Sequence, residues 1–196
     1  MERALVLGHW TLDIRRAAAV VLGALIVAGA AQVSIPLPGT PVPMTLQPLA
    51  VLLVGGLLGA PLGALSMILY LAMGAAGLPV FTPTVPLFGV ARLLGPTGGY
   101  LLAYPVAAWV TGWLAQPDAV REAGAQHAAP LRVGVGVLAG LVLIHLGGLA
   151  QLAILTGNIS AAARFGTLPF LLGDLVKIAV LVPVLVKLTP ITRARL

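Results

Sequence analysis

Polar side chains in this chain are confined to short stretches, with long apolar runs between them. A helix that crosses a bilayer needs about 20 apolar residues, with a range of about 17–25. By that ruler the pattern predicts six membrane-spanning helices, roughly residues 17–34, 46–60, 61–77, 97–115, 133–155 and 169–188. Only a tight turn separates the second from the third. The expected fold is an all-α polytopic membrane bundle, with residues 1–196 forming one integral membrane domain and both termini on one side.

The segments between the spans divide into two kinds. "QPDAVREAGAQHAAPLR" is an ordinary polar loop carrying Asp118, Arg121, Glu122 and Arg132. "SIPLPGTPVPM" is different, because Pro36, Pro38, Pro41 and Pro43 each remove a backbone donor and fix φ. Such a segment favours an extended polyproline conformation and serves either as a stiff connector or as a lid over a pocket. "GLPVFTPTVPLFGVARLLGPT" is too irregular for a span and too apolar for a free loop. Non-helical backbone at membrane depth is tolerated where protein buries it or it lines a cavity, so this segment is expected to fold back over the bundle.

Composition supports a lipid environment. The chain is 60% hydrophobic and 8% charged, against about 25% charged in a soluble domain. Eleven Lys and Arg against five Asp and Glu give a formal charge of +6. In a soluble protein that excess points to nucleic acid, but here it is read by position. With the N-terminus inside, cytoplasmic segments hold Arg3, Arg15, Arg16, Arg121, Arg132, Lys187, Arg193 and Arg195, and the outer side holds Arg92 and Arg164. That asymmetry obeys the positive-inside rule and sets both termini in the cytoplasm. Nucleic acid is not an expected partner. Ala28-Gly29-Ala30 has the small-x-small look of a signal-peptidase site. The apolar run before it is longer than the usual core of about 7–15 residues, which favours a retained helix.

Two charges remain inside a span. "FLLGDLVKIAV" places Asp174 and Lys177 one helical turn apart, on one face. A charge at the bilayer centre costs roughly 2.5–3.5 kcal/mol on insertion scales. The pair either neutralises itself as a structural ion pair or serves a ligand. A buried pair adds little stability over apolar residues of similar volume, which favours the ligand role. Arg92 is the only charged residue between Ala17 and Pro117, and either snorkels to the outer interface or faces the same cavity. Arg92, Lys177 and Asp174 together carry +1. A small, partly apolar acid with hydrogen-bond donors is the simplest occupant of such a pocket.

Other chemistries are poorly served. There are no cysteines, so no thiolate nucleophile or disulfide is available. His145 stands alone in the fifth span, His9 and His127 lie in polar segments, and no paired-His metal site appears. Ser66 has no G-x-S-x-G context, and "GPTGGY" has no Lys to make it a phosphate loop. Trp109 and Trp113 suit the inner end of the fourth helix as interfacial anchors. No metal or cofactor is expected. Ala19 and Gly23, and likewise Ala24 and Ala28, are spaced by four, a small-residue stripe that serves either internal packing or docking of another membrane subunit. No Walker motif and no internal duplication supplies an energy source, so power is expected from partner subunits.

"PGTPVPMTLQPLAVLLVGGLLGAPLGALSMILYLAMGAAGLPVF", "LLGPTGGYLLAY" and "GDLVK", in this order, resemble the BioY family, the biotin-binding S-components of energy-coupling factor (ECF) transporters. The likeness covers roughly Arg16 to Leu188. It implies a six-helix protein of the prokaryotic cytoplasmic membrane that binds biotin from outside. It also implies an ECF transmembrane T-component and two ABC-type ATPase subunits as partners. Asp174 and Lys177 match the family's D-x-x-K, and Arg92 its ligand-facing basic position. "PVPMTLQ" resembles the gating loop, here Pro41, Val42 and Pro43, and makes Thr45 and Gln47 candidate pocket members, with Tyr100 a further one. The stretch "VFTPTVPLFG" has less glycine than relatives tend to carry, so the pocket's lip is expected to differ. An S-component for another vitamin, an intramembrane enzyme using Asp174, and a ligand-free scaffold are the alternatives.

Overall fold

The computed structural model describes residues 2–116 and 130–196, with side chains described from residue 14 onward. Asp118, Arg121, Glu122 and His127 of the polar loop therefore lie outside the described residues, as do the side chains of Arg3 and His9. The elements in order are α1 (Glu2–Gln32), β1 (Ser34–Ile35), β2 (Met44–Thr45), α2 (Gln47–Leu58), α3 (Ala60–Ala75), α4 (Val90–Leu94), α5 (Gly98–Leu114), α6 (Pro130–Thr156), α7 (Ile159–Gly166), a 3-10 turn at Leu168–Phe170, and α8 (Leu171–Arg193). The architecture is all-helical apart from one small hairpin. Among the described residues, three segments are long and apolar enough to cross a membrane: Ile14–Gln32, Pro130–Thr156 and Ile159–Arg193. The helices Gln47–Leu58 and Ala60–Ala75 are apolar but shorter.

Local chemistry explains the breaks. Pro48 and Pro61 stand in the first turns of α2 and α3, where a missing N–H costs no helical bond. Gly59 joins these helices at φ +88°, a left-handed conformation that an L side chain resists. The proline-rich segment forms neither helix nor inner strand. Its ends pair instead as β1 and β2, Ser34 opposite Thr45 and Ile35 opposite Met44, holding residues 36–43 between them as a loop.

Helix α5 sits at the centre, packed on α2, α3 and α6. Glycine permits the close crossings. A methyl group on Gly99 of α5 would strike the carbonyl oxygen of Gly147 on α6, and one on Gly55 of α2 would strike that of Ala108 on α5. Buried faces repeat at helical spacing. On α8, Asp174, Lys177, Leu181 and Leu185 are buried while Leu172, Leu175, Val176 and Val180 are exposed. An apolar outer face on a stack of helices is what lipid contact demands.

The structure refines three readings. The last helix, expected from about residue 169, begins at Leu171 as α8, after α7 and a 3-10 turn. Asp174 therefore lies in its first turn, about 4–5 Å along the axis at 1.5 Å per residue. Asn158 starts α7 by accepting from the N–H groups of Ser160 and Ala161, a capping signal hidden in an apparent loop. Secondly, most of the small-residue stripe on α1 is used within the chain. Gly23, Ala24 and Ala28 are buried, and a side chain on Gly23 would meet Val54 of α2 and Ser66 of α3. Ala19 is half-buried and borders a groove between α1, α2 and α8. Thirdly, Arg92 does not snorkel, being only 1% exposed. The remaining Trp109 and Trp113 stack with ring centroids 5.9 Å apart on the exposed face of α5.

Candidate functional site

Irregular backbone between α3 and α5 closes over the helices, with Val80, Phe81 and Thr82 buried. Within it the short α4 carries Arg92, whose guanidinium is held by main-chain oxygens. Nη1 donates to the carbonyls of Val85 at 2.5 Å and Leu87 at 3.4 Å, and Nη2 donates to that of Thr82 at 2.5 Å. Gln151 of α6 anchors the same turn by donating to the carbonyls of Leu93 and Gly95. A cation is thus buried with dipoles around it and, among the described residues, no acidic partner in contact.

Facing it, α8 presents Asp174 and Lys177. Lys177 Nζ donates to Asp174 Oδ1 at 2.9 Å, so the two charges do pair with each other. They do not pair alone. His145 Nε2 of α6 lies 2.6 Å from Asp174 Oδ2, which makes a three-residue cluster across two helices. Tyr100 and Phe170 flank the imidazole, with ring centroids 6.3 and 6.4 Å away.

These groups border one cavity. The space among them is about 600 Å³, open solvent at the mouth included. Arg92, Asp174, Lys177, Thr45, Gln47 and Tyr100, the six polar residues picked out from the sequence, all line it. Each is tied to the frame. Thr45 Oγ1 donates to Gln47 Oε1, Gln47 Nε2 donates to the Tyr70 hydroxyl, and that hydroxyl donates to the Val80 carbonyl. Tyr100 donates to the carbonyl of Gly166, linking α5 to the end of α7. Of the loop residues, Val42 and Pro43 line the cavity and are buried, whereas Pro41 is exposed and does not.

The cavity also contains members that sequence reasoning missed. His145 and Thr97 line it, as do Tyr104 and Phe170. A polar side chain in an apolar span was the available signal for His145, since intramembrane ionisable groups seek one another. Thr97 occupies the N-cap position of α5, yet its hydroxyl makes no cap bond. Among the described residues, five buried side-chain polar atoms lack a partner. Three of them, Arg92 Nε, Thr97 Oγ1 and His145 Nδ1, belong to residues on this cavity. Buried polar atoms are nearly always paired, so these three atoms set the cavity apart from the rest of the described interior.

Residues 3–194 match the BioY family. A protein of Pyrococcus horikoshii named "Probable biotin transporter BioY" is 38% identical over 139 residues, covering 71% of this chain and 75% of that one. The "Biotin transporter BioY" of Thermotoga maritima is 39% identical over 157 residues, covering 80% and 85%. Among solved structures, the S-component for biotin from an ECF-type ABC transporter superposes with a TM-score of 0.77 at 24% identity, over 94% of this chain and 93% of that one. That similarity supports the fold. The family consists of transport proteins, which sets aside Asp174 as the acid or base of an intramembrane enzyme. From the extent of the family match and the identity to these relatives, the chain belongs to the BioY family.

Proposed function

We propose that this protein is the S-component of a biotin uptake system, capturing the vitamin in an outward-facing cavity. In this reading six helices span the prokaryotic cytoplasmic membrane, α7 lies at the outer surface, and both termini are cytoplasmic. An ECF T-component and two ABC-type ATPase subunits supply the energy, since the chain carries no nucleotide-binding motif.

The observation that carries the reading is the cavity's polar inventory. Arg92 and Lys177 against Asp174 leave +1 with a neutral imidazole, and three buried polar atoms on its lining residues are unpartnered. Biotin is a monoanion with an apolar tail and a cyclic urea bearing two N–H donors. Its carboxylate would neutralise the site, and its donors would find acceptors there. Arg92 and Lys177 take the carboxylate or nearby polar atoms, and Asp174 accepts from the urea. Charge neutralisation matters more here than in water, because the low-dielectric surroundings screen so little.

Radiolabelled biotin binding to the purified protein tests this. Affinity should collapse in Asp174→Asn and in Lys177→Ala, and unchanged affinity in both would refute the site. Replacing biotin by other small vitamins in a thermal-shift series checks the substrate class; biotin should give the largest stabilisation.

A further inference from the structure

The imidazole of His145 is held from one side only. Its Nε2 lies 2.6 Å from Asp174 Oδ2, while Oδ1 of that carboxylate accepts from Lys177 at 2.9 Å. An ionised carboxylate can only accept, so Nε2 carries the proton. In the neutral ring Nδ1 then bears a lone pair. That atom is buried and unpartnered, on a residue that lines the cavity. A buried acceptor without a donor is costly, and a ligand N–H is the donor the site lacks.

Charge in the cavity agrees with such a guest. The ionisable side chains sharing the cavity with His145 are Asp174 and Lys177 from α8, Arg92 from α4, and Tyr100 and Tyr104 from α5; α2 offers the uncharged Gln47. With a neutral imidazole these sum to +1, which a monoanion cancels.

We infer that His145 is a ligand-contacting and specificity-determining acceptor. Asp174 holds the ring as its Nε2–H tautomer, and Nδ1 accepts from one ureido N–H. The inference rests on the biotin reading above.

His145→Gln separates contact from support. Its amide nitrogen reaches the position of Nε2 and can still donate to Asp174, but nothing replaces the Nδ1 lone pair. In equilibrium binding the Gln variant should hold biotin about tenfold more weakly than wild type. Biotin methylated on one ureido nitrogen should lose affinity for wild type with no further loss in the variant. Two results would overturn the inference: a Gln variant that binds as wild type does, or full additivity with both N-methyl isomers. The N-methyl isomers read the question on wild type even if the variant misfolds, since undiminished affinity for both overturns the inference. Failure of wild type to bind biotin overturns the substrate assignment and this inference together; binding that the Gln change leaves intact overturns this inference alone.

Discussion

Arg92 and the Asp174–Lys177 pair meet the same difficulty, a charge removed from water, by different means. Arg92 has three main-chain oxygens in reach of its two terminal nitrogens. A lysine offers one ammonium and cannot span them. Arg92→Lys should cost about 1–3 kcal/mol of stability through carbonyls left unpaired, and weaken biotin binding as well. Thermal unfolding in detergent, with and without ligand, checks both. From the sequence alone, spacing was enough to set Asp174 and Lys177 on one face, because i and i+3 are neighbours on any helix. Spacing could not bring His145 to them, since it lies 29 positions before Asp174 and the contact exists only once α6 and α8 pack. The sequence also left open whether Arg92 turned outward, and the carbonyls of Val85 and Thr82 that hold it inward come from irregular backbone.

Helix positions were legible wherever apolar runs were long, as in α6, and boundaries blurred where a polar cap or a 3-10 turn intervened, as around α7. The proline loop behaved as its φ restriction requires, but its attachment could not be foreseen. Thr40 Oγ1 donates to the carbonyl of Phe165 at 2.6 Å, and the Val42 N–H donates to Thr40 Oγ1 at 3.1 Å. These bonds fasten the loop to α7 beside Val42 and Pro43. Thr40→Val removes the hydroxyl and keeps the shape; biotin should then leave several-fold faster, consistent with the loss of about 1 kcal/mol. Stopped-flow displacement measures that rate, and an unaltered rate argues against the loop as a lid. The glycine crossings give a second expectation. Gly99→Val forces α5 away from α6 and should lower stability by at least about 1–3 kcal/mol, the usual cost of overpacking. A denaturation series shows it directly.

For the molecule as a whole, the hydrophobic pattern conveyed an all-helical membrane protein, and the crowded centre around α5 emerged only with packing. Orientation can be probed because the chain has no cysteine to interfere. In intact cells Arg164→Cys should react with a membrane-impermeant maleimide, whereas Arg195→Cys should react only after permeabilisation; the reverse pattern would invert the topology proposed here. The central claim is that charges in the cavity serve a guest more than the fold. Replacing the whole cluster, Asp174→Leu with Lys177→Met and His145→Leu, tests it most directly, because removing a buried pair or triad together is often neutral or stabilising by about 1–4 kcal/mol. Equilibrium biotin binding to that triple variant, alongside its ligand-free melting temperature, is the measurement. The account predicts a protein at least as heat-resistant as wild type that no longer retains biotin. A variant that unfolds readily yet still holds biotin at wild-type affinity would contradict it.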